Sequence, residues 1–194
     1  MLAYVFWHRA ADGVAAGDYE DACRGFHRGL AARPPGGLLG SASLRARRLP
    51  WLGDGGAGLE DWYLLEDFAA LGVLNEAAVG RGHASAHDRA AALMGEGTGS
   101  VYGLLDGTPA LEAASVAAWI SPLRGHDEPM LADFLADGID RSTASVWRRQ
   151  LALGPAPELC VLAAEQPDGV RSTRLPRGWL IDLDAREAVS YTAA

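Results

Sequence analysis

Apolar and polar positions recur with a clear period over most of the chain, and that period switches several times between two and 3.6 residues. Leu2-Ala3-Tyr4-Val5-Phe6-Trp7 predicts a strand that ends at His8-Arg9. Asp18 reads as a helix N-cap, with Asp21 three residues on. Tyr19, Cys23, Phe26 and Leu30 then lie at i, i+4, i+7 and i+11, one apolar stripe with charges opposite. Pro34-Pro35-Gly36-Gly37 stops that helix. Gly40 to Leu49 alternates as a half-exposed strand does, and Glu60 to Asp67 is the strongest strand of the chain. Asp67 caps a helix that runs to Val79, with Phe68, Leu71, Leu74 and Ala78 on one side. A second helical piece spans Ser85 to Met94. After the break Gly95-Glu96-Gly97-Thr98-Gly99, Ser100 to Leu105 is a fourth strand.

From about Ala113 the pattern starts again. Val116 to Ile120 predicts a strand and Glu128 to Asp137 a helix. Ser145 to Leu153 and Glu158 to Ala164 predict strands on either side of Gly154-Pro155-Ala156-Pro157. Residues 166–177 have no helical period, so the last helix of the second copy is expected to be missing or degraded. Trp179 to Leu183 and Ala188 to Tyr191 suit a closing hairpin. The expectation is one domain of two halves, residues 1–110 and a degenerate 111–194. The truncated half would leave a sheet edge or face that favours a homodimer.

The order β-α-β-β-α-β is the split βαβ, ferredoxin-like motif of the α+β class, an antiparallel sheet with helices on one face. Two copies can press their bare faces together into an α/β barrel. Glu60-Asp61-Trp62-Tyr63-Leu64-Leu65-Glu66-Asp67-Phe68, running into Ala69-Ala70-Leu71-Gly72-Val73-Leu74-Asn75, resembles the third strand and second helix of the dimeric α/β barrel superfamily. That superfamily includes antibiotic-biosynthesis monooxygenases, EthD-like and NIPSNAP-like proteins and the chlorite dismutase group. The resemblance implies tandem ferredoxin-like units around a barrel; it carries no catalytic signature, because the fold hosts enzymes, haem binders and proteins of other roles.

Composition narrows the classes. A net charge of −8 over 194 residues disfavours nucleic acid and anionic membranes as partners. All 17 basic residues are arginine, so lysine Schiff-base chemistry is excluded. Cys23 and Cys160 stand far apart in apolar surroundings and read as buried free thiols. No apolar run approaches the ~20 residues that cross a bilayer, and the N-terminus lacks a basic region before its short apolar run. A cytoplasmic protein is expected.

Candidate chemistry is dispersed. His83 and His87 have the i, i+4 spacing of a metal pair, but Ser85-Ala86-His87-Asp88 reads as a capping box that puts His83 before the helix, and no third ligand is near in sequence. His27 borders the first helix's apolar stripe and fits a general base or a haem ligand. Alternation groups Tyr4, Phe6 and His8 on one strand face; turned toward the barrel, they would wall a small-molecule pocket. Trp62, Leu64 and Glu66 share a face of the third strand, where Glu66 would be an acid or base with a raised pKa if buried. Asn75 interrupts the apolar side of the second helix. Trp119, Trp147, Arg148 and Arg149 lie in the second half, and one arginine could meet a carboxylate. Two readings follow. One is a small-molecule site inside the barrel, with His27, Glu66 and His87 as catalytic groups and His8, Trp62 and Asn75 as ligand contacts, serving cofactor-free oxidation, proton transfer or haem. The other is a binding or assembly module whose aromatics simply fill the core.

Overall fold

A computed structural model describes residues 1–80, 82–121, 128–166 and 178–184. Along the chain run β1 (Leu2–Ala10), α1 (Ala16–Ala32), β2 (Leu38–Ala46), β3 (Gly58–Leu65), α2 (Phe68–Val79), α3 (Ala84–Ala91) and β4 (Met94–Gly107). They are followed by β5 (Val116–Ile120), α4 (Glu128–Asp137), β6 (Ala144–Ala152), β7 (Leu159–Ala163) and β8 (Gly178–Asp184). The eight strands form a closed barrel in the order β1-β3-β2-β8-β5-β7-β6-β4. Every pairing is antiparallel.

That order contains the ferredoxin-like arrangement twice, as β4-β1-β3-β2 and as β6-β7-β5-β8. The two sheets join along β4–β6 and, through Arg45↔Asp184 and Ala46↔Leu183, along a short β2–β8 seam. The open edge expected of a truncated second half is therefore filled by β8, which removes the reason given for a dimer. The second strand of the expected closing hairpin, residues 188–191, lies outside the described residues, as does the polar loop from 167 to 177.

Local chemistry sets the boundaries. Asp67 caps α2 as expected, accepting from the Ala70 N–H at 2.9 Å. Asp18 does not cap α1: the helix begins at Ala16 behind Ala15, and Asp18 sits in the first turn, where its charge suits the positive end of the helix dipole. The Gly95 to Gly99 run is not a break but part of β4, a correction whose physical reason lies on the neighbouring strand. A Cβ on Gly97 would lie 2.5 Å from the Phe6 ring, and one on Gly99 would lie 2.8 Å from Tyr4. The glycines are the floor on which β1 lays its aromatic rings.

Two cores form on opposite faces of the first sheet. Inside the barrel, Val5, Trp7, Leu44, Trp62, Leu64 and Tyr102 meet Trp119, Trp147, Cys160 and Leu162 from the second sheet. Trp62 stacks on Trp119 (centroids 5.9 Å apart) and meets Trp147 edge-on at 5.4 Å, so side chains of both halves fill the lumen, as eight strands allow. Outside, α1 and α2 cover the first sheet through Phe26, Leu30, Tyr63, Leu65 and Leu74. On the second sheet, Ala132 and Leu135 of α4 pack against Ile120, Val146 and Val161.

Candidate functional site

β3 carries two adjacent carboxylates, and the pleat sends them to opposite sides. Glu60 enters the barrel. It is fully buried and accepts hydrogen bonds from three indole N–H groups: Trp62 at 2.8 Å, Trp7 at 3.0 Å and Trp119 at 3.0 Å. Burial pushes its carboxyl up to about 7, against the pull of the three indole donors.

Asp61 points the other way, under the helices. Its Oδ2 lies 3.0 Å from His8 Nε2 on β1 and 3.0 Å from His27 Nε2 on α1, and accepts from the Tyr63 hydroxyl at 3.2 Å. Burial alone would raise this carboxyl; the two imidazoles outweigh it and hold Asp61 far below the usual carboxylate range, ionised. Each imidazole is tied at its other nitrogen: His8 Nδ1 to the Tyr19 hydroxyl at 2.5 Å, His27 Nδ1 to the Ser41 hydroxyl at 2.9 Å. Nε2 of each ring thus faces Asp61, and Nδ1 of each faces a hydroxyl. One connected chain results, Tyr19–His8–Asp61–His27–Ser41.

The Tyr19 end of that chain opens on a cavity of about 560 Å³, within the range of small-molecule sites. It lies between the outer face of the first sheet and the helices, not inside the barrel. His8, Tyr19, Cys23 and Asp61 line its polar floor, and Tyr4, Phe6, Phe26 and Tyr63 its walls. Tyr63, Tyr4, Phe6 and His8 form a continuous row of stacked rings with centroids 4.9–6.2 Å apart. Phe68, Val79 and Leu153, all exposed, rim the mouth with His87 and Asn75. Burial raises the Tyr19, Tyr63 and Cys23 hydrogens' pKa values, so these groups stay protonated in the resting site.

The residues singled out from sequence separate cleanly. His8, His87 and Asn75 line the cavity, and His27 stands directly behind its floor through Asp61. Asn75 is exposed at the mouth, because the buried side of α2 is carried by Ala70, Leu74 and Ala78. Trp62 is in the barrel core, on the far side of the sheet. Glu66 is exposed just past the end of β3 and does not reach the cavity. His83 is a buried helix-start residue bonded to the Arg33 carbonyl at 3.0 Å, which leaves His87 without a metal partner; no cluster of metal-ligating side chains occurs among the described residues. Arg149 is held by the Ala156 carbonyl and by Glu158, away from the cavity. Cys23 and Cys160 are both free and buried. Asp61, Tyr19 and Tyr63 were not singled out from sequence; the signal available was a carboxylate inside a strand apolar on both faces.

On the cavity floor both ring nitrogens of His27 and Nδ1 of His8 are engaged and His8 Nε2 lies against Asp61, and no arginine appears among the described residues lining the cavity to pair with haem propionates.

No protein-family model and no curated protein matches the sequence. Solved structures do match over nearly the whole chain. A candidate monooxygenase from Fusobacterium nucleatum is 8% identical over 100% of this chain and 98% of its own, with a TM-score of 0.61. An anthrone oxidase-like protein is 8% identical over 98% and 92%, at 0.57. A candidate chlorite dismutase is 14% identical over 95% of each chain, at 0.51. The class that topology and likeness define is the dimeric α/β barrel fold, with both ferredoxin-like units in one chain. Within it, no described helix is long and apolar enough to cross a membrane.

Proposed function

We propose that the protein binds a small, largely apolar molecule in the cavity under α1–α3 and removes a proton from it. The observation that carries this reading is the Tyr19–His8–Asp61 chain, buried and ending at the cavity wall. A bound acidic C–H or O–H gives its proton to the Tyr19 oxygen while the Tyr19 proton passes to His8 Nδ1. The resulting imidazolium is stabilised by ionised Asp61, which is the role a buried carboxylate plays beside a general-base histidine. The ligand is left as an electron-rich anion against the aromatic walls, able to hand electrons to dioxygen; the monooxygenase and anthrone oxidase-like names of the structural neighbours accord with that step.

Anthrone is a suitable probe because its central methylene is acidic. In deuterated buffer without oxygen, the protein is expected to speed exchange of that methylene as followed by proton NMR. His8→Gln and Tyr19→Phe should each lower the rate by on the order of 10²-fold or more. Anthrone bound in the cavity with no accelerated exchange would instead make the protein a non-catalytic binding module.

A further inference from the structure

Glu60 takes no part in proton transfer at the cavity, and its surroundings have a chemistry of their own. Its oxygens accept from three fully buried indoles, Trp62 on Oε1 and both Trp7 and Trp119 on Oε2. Those rings touch one another. Trp7 meets Trp119 edge-on with centroids 5.0 Å apart, and Trp119 stacks on Trp62 at 5.9 Å. Trp51, only partly buried, meets Trp7 at 5.0 Å and Trp119 at 5.9 Å. The array thus runs from Trp51 to Trp62, whose neighbour on β3, Tyr63, lines the cavity on the other side of the sheet. Indoles give up an electron more readily than aliphatic side chains, and the N–H of the oxidised ring is a strong acid. A bare cation in an apolar core is costly. Here a carboxylate already holds the hydrogen bond along which the proton can leave, so the barrel is left with two neutral groups. Among the described residues of the barrel interior no rival base competes: burial keeps the Tyr102 hydroxyl and the Cys160 thiol protonated, and Asp61 faces the opposite side of the sheet.

We infer that the barrel core is a one-electron relay, which drains an oxidising radical from the cavity through the indoles around Glu60 to Trp51 at the surface. The radical is the organic one left when dioxygen takes a single electron from the bound anion and departs as superoxide. It takes one electron from Trp62 and returns to its anion, while the Trp62 N–H proton passes to the Glu60 carboxylate. The electron vacancy moves by ring contact through Trp119 and Trp7, each with Glu60 as its proton acceptor, to Trp51. There a thiol in the solvent supplies the missing electron and releases its own proton to water, and Glu60 returns the held proton to the indole nitrogen. The relay needs only an oxidant at the cavity, so light can supply one without any proton transfer at His8.

Flash photolysis of the full chain in anaerobic buffer at pH 8, with anthraquinone as the cavity probe, tests the relay. Excited by light, the quinone takes one electron and becomes its radical anion. The optical and electron paramagnetic resonance spectra of a neutral indolyl radical should follow. In Glu60→Gln that signal should be lost and only the protonated indole cation remain, because the amide accepts the hydrogen bond but cannot take the proton. Should that variant not fold, wild type at pH 5 should show the same change, since Glu60 holds its own proton up to about 7. Trp51→Phe should leave radical formation intact and abolish its refilling by added glutathione. A neutral radical of equal yield in wild type and Glu60→Gln, or at both pH values, overturns the inference. So does a radical confined to tyrosine, or no protein radical where the excited quinone still oxidises free tryptophan in the same buffer. The expected radical in a protein that does not speed anthrone exchange overturns only the proposed proton transfer; the reverse result overturns only the relay.

Discussion

Glu60 and Asp61 show how much one peptide bond can separate. Neighbours in sequence, they sit in two different cores and are shifted in opposite directions. Unfolded, Glu60 ionises near its ordinary 4.5; folded, it keeps its proton up to about 7. The unfolded chain therefore loses that proton first, and Glu60 costs stability as pH rises from 4.5 to 7, by roughly 3 kcal/mol over the interval. Asp61 acts in the opposite sense: its folded pKa lies below the ordinary 3.8, so its contribution is complete above that value and lost as pH falls below it. Urea midpoints measured from pH 3 to 8 should peak on the acid side of neutrality and decline toward pH 7. Glu60→Gln should flatten that decline and leave the acid limb intact. A wild-type midpoint that stays level between pH 4.5 and 7 would show that Glu60 ionises normally in the barrel. The pair was visible in the sequence as Glu60-Asp61 inside the strongest strand. Its meaning was not, because alternation says that the two diverge but not that both sides are closed.

At the scale of elements, helices and strands fall close to where periodicity puts them, with α4 and β5 at their expected limits. The exceptions have local causes. The glycines of β4 read as a break because glycine weakens a strand on its own, yet here the missing side chains are what the neighbour requires. Gly97→Ala should crowd Phe6 and the Cβ of His8, which a new Cβ would approach to 3.2 Å. A loss of about 1–3 kcal/mol of stability is expected from such overpacking, together with weakened anthrone binding as the ring row and His8 shift. Equal stability and affinity in the variant would show that the rings have room to spare. By contrast Asp67→Ala removes only a helix cap and lies away from the floor. It should cost about 1 kcal/mol in thermal or urea denaturation and leave binding unchanged.

Across the whole molecule, the barrel core ties the halves together. Trp7 and Trp62 come from the first sheet, Trp119 and Trp147 from the second, and the Trp119 indole reaches across to Glu60 at 3.0 Å. We therefore expect residues 1–110 and 111–194 to fold only as one unit. The full chain should unfold in a single transition by both tryptophan fluorescence and far-ultraviolet circular dichroism. Residues 1–110 expressed alone would expose the Trp7 and Trp62 face and should bind a hydrophobic dye without a cooperative transition. A separate, cooperative melt of that fragment would show that the two halves are independent domains.

Order of elements, ferredoxin-like class, free buried thiols and the acidic charge balance were all determined by the sequence alone, because each depends on local period or on composition. Which side of the first sheet became barrel lumen and which became ligand cavity was decided only by tertiary structure. Both faces of that sheet are buried, one by the second sheet and one by α1 and α2. The faces of Trp62 and of Tyr63 are thus equally apolar in the sequence, and a period of two carries no sign that distinguishes them. For the same reason the sequence placed Tyr4, Phe6 and His8 together, but the closing of the barrel on Trp7 is what turned them outward, where α1 could bring Tyr19 and His27 to His8 and Asp61.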